Sequence, residues 1–420
     1  MSVSTITNLS NSLRRTYSNR YFKAFQNDFT PFLNELDECP DEPTRGVGWY
    51  FPFHLSSPQN WRVNSEGGSM GAVGQRTEVQ GQVNAVEFLA WMQISELLKN
   101  AGTRDAAWNG GELNRQMKET TTDLTKGMQR MFVISHGTGR LAVVYANTSS
   151  STDWVAKLDE GVNALMDNDS LDFYDTDSGG SIQVTNANVE SIVRRTRTVT
   201  LDSAQSLTAN WGAYRTGDYG RGSNGLRGLV DDGTYADSVH GQSRTTYEKL
   251  KSQVVDPGDP TELTEQHMRE IADLIYLAGG EIDRILCNVG VMNAFFDVQT
   301  GDRRYVMERG QTAKFVLGYR EGDALFSYDK GTYVIKKDPN IPAREMYFLS
   351  LKQSFMKHTL RKLGWLDEGG SILRLTPNGS DGFNTSWTAL MIAQCNISCL
   401  SPIWNGARRN IKDATIALDT

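Results

Sequence analysis

Hydrophobic residues recur along the chain with two different periods, and each change of period predicts a change of element. The first stripe has helical spacing and consists of Leu13, Tyr17, Tyr21, Phe25 and Phe29. We expect Pro31 to end this helix, because proline cannot continue helical hydrogen bonding. Basic residues surround the stripe and either face solvent or a partner, the commoner meaning of such a pattern, or contact nucleic acid. The acidic residues 28–42 are interpreted as a linker.

The next segment, residues 45–84, combines many glycines with aromatic side chains and cannot bury a core of its own. We interpret it as a long hairpin that projects from the body of the protein. Gly67 and Gly68 are placed near its tip, because glycine permits the backbone angles of a tight reversal. The aromatic residues of the arms are Trp49, Phe51, Phe53 and Trp61.

A strand and then the clearest helix of the sequence follow the hairpin. Residues 86–94 alternate with the period of a strand whose two faces are both partly covered. Hydrophobic residues then return with a period of about 3.6 over about twenty residues, or roughly 30 Å of helix. We expect Gly137 and Gly139 to end this helix. The residues expected to face a sheet are Leu113, Met117, Leu124 and Met128.

The rest of the chain mixes strand and helix patterns. Residues 141–215 have strand periodicity divided by polar turns, which predicts a small β-barrel or sandwich. A helix opened by Thr264 and a strand at residues 285–287 follow, and strand patterns dominate from residue 313 onward. We therefore expect a sheet built from segments that are distant in sequence, and an α+β fold class.

Composition and charge exclude several classes of protein. Only 39% of the 420 residues are hydrophobic and the mean hydropathy is −0.45, so the core is expected to be divided or completed by neighbouring chains. The net charge of −7 argues against a dedicated duplex-binding protein. The longest apolar run, residues 141–146, is far short of the ~20 residues that cross a bilayer. Four cysteines are too few for a disulfide scaffold.

Two motifs associated with enzymes occur by letter but not in the context that their chemistry needs. Gly67, Ser69 and Gly71 spell GxSxG, yet no hydrophobic strand precedes them and no helix pattern follows, as a nucleophile elbow requires. Residues 220–225 spell GxGxxG without the strand and helix that would hold a pyrophosphate. Neither motif predicts an active site.

Metal-ligating and catalytic patterns are missing from the sequence as well. The aspartates of residues 167–177 lack the ligand spacing and the closing glutamate of a helix-loop-helix calcium site. None of the five histidines has another histidine or a cysteine at metal-ligand spacing. We expect no catalytic residue, no metal site and no cofactor.

Several local sequences, in this order, resemble one known family. The segment GLRGLVDDGTY (225–235) is similar to a turn that follows the inserted β-domain in that family. Residues 263–305 resemble the helix, strand and helix of its axial domain, residues 327–351 its returning strands and residues 401–411 its closing strand. With the arm, the projecting hairpin and the long helix, the chain resembles the major capsid proteins of tailed bacteriophages, which have the HK97-type capsid fold.

The resemblance implies a division of the chain into six parts. They are an amino-terminal arm (1–44), an extended hairpin (45–84), the strand and long spine helix of a peripheral domain (85–140), an inserted barrel-like β-domain (141–215), an axial domain (216–325) and a return to the axial and peripheral sheets (326–420).

The implied function is that of a non-enzymatic subunit, which self-assembles as hexamers and pentamers into an icosahedral head around double-stranded DNA. The implied location is the virion, after assembly in the host cytoplasm. The implied protein partners are a portal protein and a scaffolding protein, and a decoration protein is a further candidate. The implied contact with packaged DNA is non-specific, and no membrane contact is implied. Hypothetical contacts with adjacent subunits are assigned to Trp49, Phe51, Phe53, Trp61, Gly67, Gly68, Tyr17, Tyr21 and Phe25. Packing of the hairpin aromatics against their own domain is an equal alternative.

Other interpretations remain open at this point. Some members of the family begin with a long helical scaffold that is cut away, whereas only a short arm precedes the hairpin here, so we expect a separate scaffolding protein and no cleavage. An encapsulin or a tail tube or sheath protein would also self-assemble. A serine hydrolase that uses Ser69 or His136 is the alternative from a different class.

Overall fold

The computed structural model describes residues 31–40, 48–96, 106–147, 154–301, 319–320, 323–328, 331–367, 372–378 and 382–413, apart from residues 59, 62, 64, 65, 67–73, 161, 163, 164, 177, 178 and 204. The predicted helix around Tyr17, Tyr21 and Phe25 and the hairpin tip at Gly67 and Gly68 lie outside these residues.

The described helices include one long helix and several short ones. They are α1 (Pro31–Asn34), α2 (Ala106–Ile134), α3 (Leu226–Leu229), α4 (Glu265–Leu277), α5 (Val289–Gly301) and α6 (Leu351–Ser354). Within the described residues, none has the length and hydropathy that crossing a bilayer demands.

Strands form most of the remaining elements. They are β1 (Gly48–Ser56), β2 (Thr77–Asn84), β3 (Val86–Ser95), β4 (Arg140–Asn147), β5 (Trp154–Glu160), β6 (Ser170–Thr176), β7 (Gly179–Val193), β8 (Thr198–Leu201), β9 (Gly212–Arg215), β10 (Ser238–Val239), β11 (Gln242–Ser243), β12 (Gln253–Val255), β13 (Arg284–Cys287), β14 (Tyr319–Arg320), β15 (Asp323–Tyr328), β16 (Gly331–Lys337), β17 (Met346–Leu349), β18 (Phe355–Trp365), β19 (Arg374–Asn378), β20 (Gly382–Cys399) and β21 (Gly406–Arg408).

The chain divides into two compact units, each made of segments that are distant in sequence. The described part of the first unit lies within Val86–Met128 and Thr359–Cys395. The second contains Phe29–Ala85, Gln129–His358 and the residues from Asn396 onward.

The sheet of the first unit has one buried face and one exposed face. Strand β3 pairs with β20 in antiparallel register, so that Phe88 lies opposite Ala393 and Met92 opposite Ala389, all buried. On the other face, Leu89 and Trp91 are 45% and 51% exposed. The predicted alternation is therefore confirmed, but the second face is less covered than we expected.

The long helix is confirmed, and it starts earlier than the sequence pattern indicates. Of the four residues expected to face a sheet, Met117, Leu124 and Met128 are half-buried, and the side chain of Leu113 lies outside the described residues. Lys126 of this helix is buried. The helix ends at Ile134, before the two predicted terminal glycines, which both have positive φ angles.

Residues 31–40 are not the linker predicted from their acidic composition. Pro31 is the first residue of α1, a position that proline can occupy in a first helical turn. Phe32 is fully buried against Phe355, with the ring centroids 5.8 Å apart. The carboxylate of Glu35 lies 2.6 Å from both Arg284 Nε and Lys336 Nζ. These contacts fix the segment to the second unit.

The inserted β region is a closed barrel with the strand order β4-β5-β8-β7-β6-β9. Its core contains Leu158, Leu171, Phe173 and Ala213, which the alternation of the strands points inward. The first and last strands are neighbours, with Arg140 opposite Tyr214. The barrel therefore begins and ends at the same place.

The main sheet of the second unit assembles distant segments, as predicted. Its order is β12-β21-β17-β13-β16-β15-β14. Helix α4 packs Ile271 and Ile275 into the core of this sheet with Ile285 and Phe348. The side chain of Thr264 caps α4 by accepting a hydrogen bond from the backbone N–H of His267, at 3.3 Å.

Candidate functional site

Three glycines after the barrel allow the backbone to pack directly against the end of α2. We call Gly222, Gly225 and Gly228 the glycine seam. A Cβ atom on Gly222 would lie 2.0 Å from the backbone N of Gly139, and one on Gly225 would lie 2.0 Å from the backbone O of Ser135. One on Gly228 would lie 2.3 Å from the Cβ of His136. No side chain fits at these positions, because the two stretches of backbone touch.

The glycine seam explains the GxGxxG letters of residues 220–225. Gly222 and Gly225 serve a close backbone crossing, and Gly220 has open space around it and a positive φ angle, so the letters do not mark a phosphate-binding turn. The nearest helix, α3, has only four residues and is buried throughout. The rejection of a dinucleotide site thus has a structural reason that the sequence did not provide.

A buried group of charges, which we call the arginine cluster, follows the glycine seam. It consists of Arg227, Asp231, Arg244, Glu345 and Arg409, each at most 4% exposed. Arg227 Nη2 lies 3.0 Å from Glu345 Oε1, and Arg409 Nη2 lies 2.8 Å from Asp231 Oδ1. Arg244 Nη1 lies 3.8 Å from Asp231 Oδ2. The cluster thus joins α3 and the turn after it to the residues that precede β17 and follow β21.

Aromatic and backbone groups complete the surroundings of these charges. The ring of Tyr235 lies between two guanidinium groups, with its centroid 3.9 Å from Arg227 Cζ and 4.1 Å from Arg409 Cζ. Arg244 donates to four backbone carbonyls, those of Gly228, Leu229, Ala236 and Leu250, at 2.7–3.1 Å. The side chain of Arg244 therefore holds the surrounding backbone together from inside.

The electrostatics of the cluster favour the charged forms of Asp231 and Arg227. Burial alone would raise the pKa of Asp231, but Arg409 and the backbone N–H of Ala236 hold it below its ordinary value. Burial disfavours the charged form of Arg227, yet Glu345 keeps its pKa above the ordinary value. Burial also raises the pKa of Tyr347 well above its usual range, so its hydroxyl stays protonated and donates to Glu345. The cluster holds segments of the fold together, and none of its charged groups is exposed to a substrate.

The root of the hairpin is held by the tight turn between β10 and β11. The backbone O of His240 accepts a hydrogen bond from Gln82 N at 3.0 Å, and the side chain of Gln242 donates to Gln80 O at 2.7 Å. His240 Nε2 in turn accepts from Cys399 N at 2.9 Å. Burial and the nearby Arg244 lower the pKa of His240 from 6.5 to about 3, so the imidazole is neutral.

The structure separates the hairpin aromatics into two groups. Strands β1 and β2 pair along their length, as predicted. Trp49 and Phe53 are buried within their own unit, at 4.9 Å from the ring of His358 and 6.1 Å from the ring of His240, respectively. This packing is the alternative that we gave for the hairpin aromatics, and it leaves little of either ring exposed to an adjacent subunit. Phe51 is half-buried against Phe53, whereas Trp61 is 81% exposed.

Two aspartates of the barrel accept hydrogen bonds from backbone N–H groups. Asp169 accepts from Met166 N at 2.7 Å, and Asp175 accepts from Ser181 N at 3.0 Å. Within the described residues, no group of three His, Cys, Asp or Glu side chains is arranged to hold a metal ion. His136 packs against Gly228, and burial lowers its pKa to about 3, which does not suit a base at neutral pH. Ser69 lies outside the described residues.

Comparisons with known proteins identify the fold but not close relatives. No protein-family model and no curated protein matches the sequence. Among solved structures, the capsid of cyanophage A-1(L) matches with a TM-score of 0.56 and 12% identity, over 96% of this chain and 99% of that chain. The capsid of a native GTA particle matches with a TM-score of 0.51 and 8% identity, over 98% of this chain and 100% of that chain. The chain therefore has the HK97-type fold of phage capsid proteins.

Proposed function

We propose that this chain is the major capsid protein of a tailed bacteriophage, which self-assembles into the icosahedral shell around a double-stranded DNA genome. The observation that carries the proposal is the extent of the likeness to two capsid proteins, which covers 96% and 98% of this chain. The likeness therefore takes in the hairpin, the long helix, the barrel region and the main sheet together, and not one common domain.

Exposed hydrophobic side chains support self-assembly. Trp61 and Val63, on the hairpin beyond β1, are 81% and 94% exposed. Leu89 and Trp91 form a second exposed pair on the sheet of the first unit. Such side chains are stabilised when an interface covers them, and a closed shell covers them by heterologous contacts between identical copies. Permanent interfaces of this kind bury about 2,000–5,000 Å².

The role is structural, and the charge of the chain suits it. A net charge of −7 repels phosphate groups, so packaged DNA would be contacted non-specifically and would slide along the shell. The buried Arg227 and Arg409 add little attraction for DNA, since neither side chain reaches the surface. Hexamers and pentamers, a portal protein, a separate scaffolding protein and a decoration protein belong to this proposal as partners, with assembly in the host cytoplasm.

Imaging of the purified protein tests the proposal. The chain is expressed alone and together with its neighbouring genes, and the particles are examined by electron microscopy and analytical ultracentrifugation. We expect closed icosahedral particles. Tubes or open rings would favour a tail protein, and a chain that stays monomeric at high concentration in both preparations would contradict the proposal. An esterase assay of the wild type and of Ser69→Ala is expected to give equal background rates.

A further inference from the structure

We propose that a pocket at the carboxyl end of α4 binds a basic stretch from a second copy of this chain. The pocket has a volume of about 530 Å³. Its walls are the last turns of α4, the loop 279–282, the end of β15 and the start of β16. This inference rests on the proposed self-assembly, and it assigns a ligand chemistry to one surface of the second unit.

The lining of the pocket is aromatic and acidic. Three tyrosines, Tyr276, Tyr328 and Tyr333, contribute to it, and Asp273 and Glu281 supply two carboxylates. None of the described lining residues is a lysine or an arginine. The face of an aromatic ring attracts a cation, and so does a carboxylate, so both kinds of lining favour the same class of ligand.

The internal contacts of the pocket leave one carboxylate for an incoming charge. The hydroxyl of Tyr328 donates to both carboxylate oxygens of Asp273, at 2.9 and 3.1 Å, which fixes the ring. The guanidinium of Arg269 lies 5.6 Å from the centroid of this ring, so the ring already attracts one cation. Glu281 is exposed and pairs with no cation among the described residues.

The size of the pocket indicates a short stretch of chain as the ligand. Its volume lies within the range of about 300–1,000 Å³ that is typical of pockets for ligands larger than one side chain. A segment with adjacent guanidinium groups would place one of them against the exposed Glu281.

The chain itself contains such a segment. Residues 302–318 lie outside the described residues and connect α5 to β14. They carry four cations (Arg303, Arg304, Arg309 and Lys314) against two anions (Asp302 and Glu308), a local charge of +2 in a chain of net charge −7. Around a ring of copies, each could give this segment to one neighbour and receive that of the other, as a heterologous contact requires.

A charge-swap experiment on the full chain tests the inference. Glu281→Lys reverses the pocket, and Arg303→Glu with Arg304→Glu reverses the segment. Each variant alone is expected to raise the protein concentration needed for assembly at least tenfold. An equimolar mixture of the two variants is expected to recover most of this loss, because copies that alternate around a hexamer then present only opposite charges to one another. A pentamer has an odd number of places and keeps one mismatch, so recovery should be greater for hexamers.

Controls separate this inference from the proposed function. Asp259→Lys reverses another exposed carboxylate of the second unit and should leave assembly unchanged. Circular dichroism checks that all variants fold. If the mixture fails to assemble but both reversals in one chain restore assembly, the segment binds its own pocket and the inference is wrong. It is also wrong if Glu281→Lys assembles like the wild type. If the wild type forms no rings or shells, the proposed function is overturned and this inference with it.

Discussion

Arg409 Nη2 lies 2.8 Å from Asp231 Oδ1, and both side chains are buried although 178 positions separate them in the sequence. Neither charge would be stable here alone, because a buried ion loses its hydration and depends on its partner. The pair therefore ties the closing strand of the main sheet to the turn that follows the barrel.

Removal of one member of this pair should strongly destabilise the protein. Arg409→Met leaves the carboxylates of Asp231 and Glu345 buried, and we expect the free energy of unfolding to fall by about 3–5 kcal/mol. Urea unfolding of the unassembled chain, followed by tryptophan fluorescence, measures this change. Lys412→Met is the control, since it breaks only an exposed pair with Glu262 and should cost about 1 kcal/mol or less. Equal effects of the two substitutions would contradict a structural role for the cluster.

The glycine seam predicts opposite effects of the same substitution at two positions. Gly225→Ala places a Cβ atom 2.0 Å from Ser135 O, and the overpacking should lower the free energy of unfolding by about 3 kcal/mol or more. Gly127→Ala, within α2, places a Cβ atom in open space and should raise it by about 0.5–1 kcal/mol. Thermal unfolding of both variants provides the measurement. Equal tolerance of alanine would mean that the two stretches of backbone do not cross as closely as we describe.

Neutral His240 predicts a loss of stability in acid. Its pKa is lowered from 6.5 to about 3, so between these values the unfolded chain binds a proton that the folded chain does not. Its contribution is complete above pH 6.5 and is lost as the pH falls towards 3, with a slope of about 1.4 kcal/mol per pH unit near the middle of this window.

The variant His240→Gln isolates this contribution. Glutamine can still accept the hydrogen bond from Cys399 N, but it does not titrate. The free energy of unfolding, measured from pH 7 to pH 4, should therefore depend on pH less steeply than in the wild type. An unchanged slope would show that His240 is protonated in the folded protein.

The two groups of hairpin aromatics should respond differently to substitution. Phe53→Ala removes a buried ring and should lower the free energy of unfolding by about 3–5 kcal/mol in the unassembled chain. Trp61→Ser should change this energy by less than about 0.5 kcal/mol, because the side chain is exposed, yet it should weaken assembly. Light scattering during assembly gives the second measurement. A Trp61→Ser chain that assembles at the wild-type concentration would remove Trp61 from the interface.

Local periodicity was sufficient to predict strands in which hydrophobic and polar residues alternate, because the alternation itself decides which side chains are buried. The alternation around Phe88 and Met92 places both residues on the buried face of β3, and the alternation of residues 141–215 closes into a barrel. The same reasoning failed for Phe32, because an acidic segment can still be fixed by one buried ring and by the two ion pairs of Glu35.

The arginine cluster could not be predicted from the sequence, because its members come from segments that are distant from one another in the chain. In the sequence, Asp231 and Asp232 are an ordinary acidic pair, and only the structure places Arg409 and Arg244 beside Asp231. The glycines of the seam carry a signal, since a run of glycines indicates a close approach of backbone, but the sequence does not tell which segment approaches. Trp49 and Trp61 likewise share a residue type and a segment, and only the fold shows which is covered.

The adjacent ends of the barrel bear on how the protein could change over evolution. Because Arg140 and Tyr214 lie opposite each other on neighbouring strands, about 5 Å separates the points where the polypeptide enters and leaves. A gene fragment for this domain can therefore be gained, lost or exchanged in one recombination event, without rerouting the chain on either side. The barrel is in this sense a cassette, free to acquire new surface properties while the remainder stays constant.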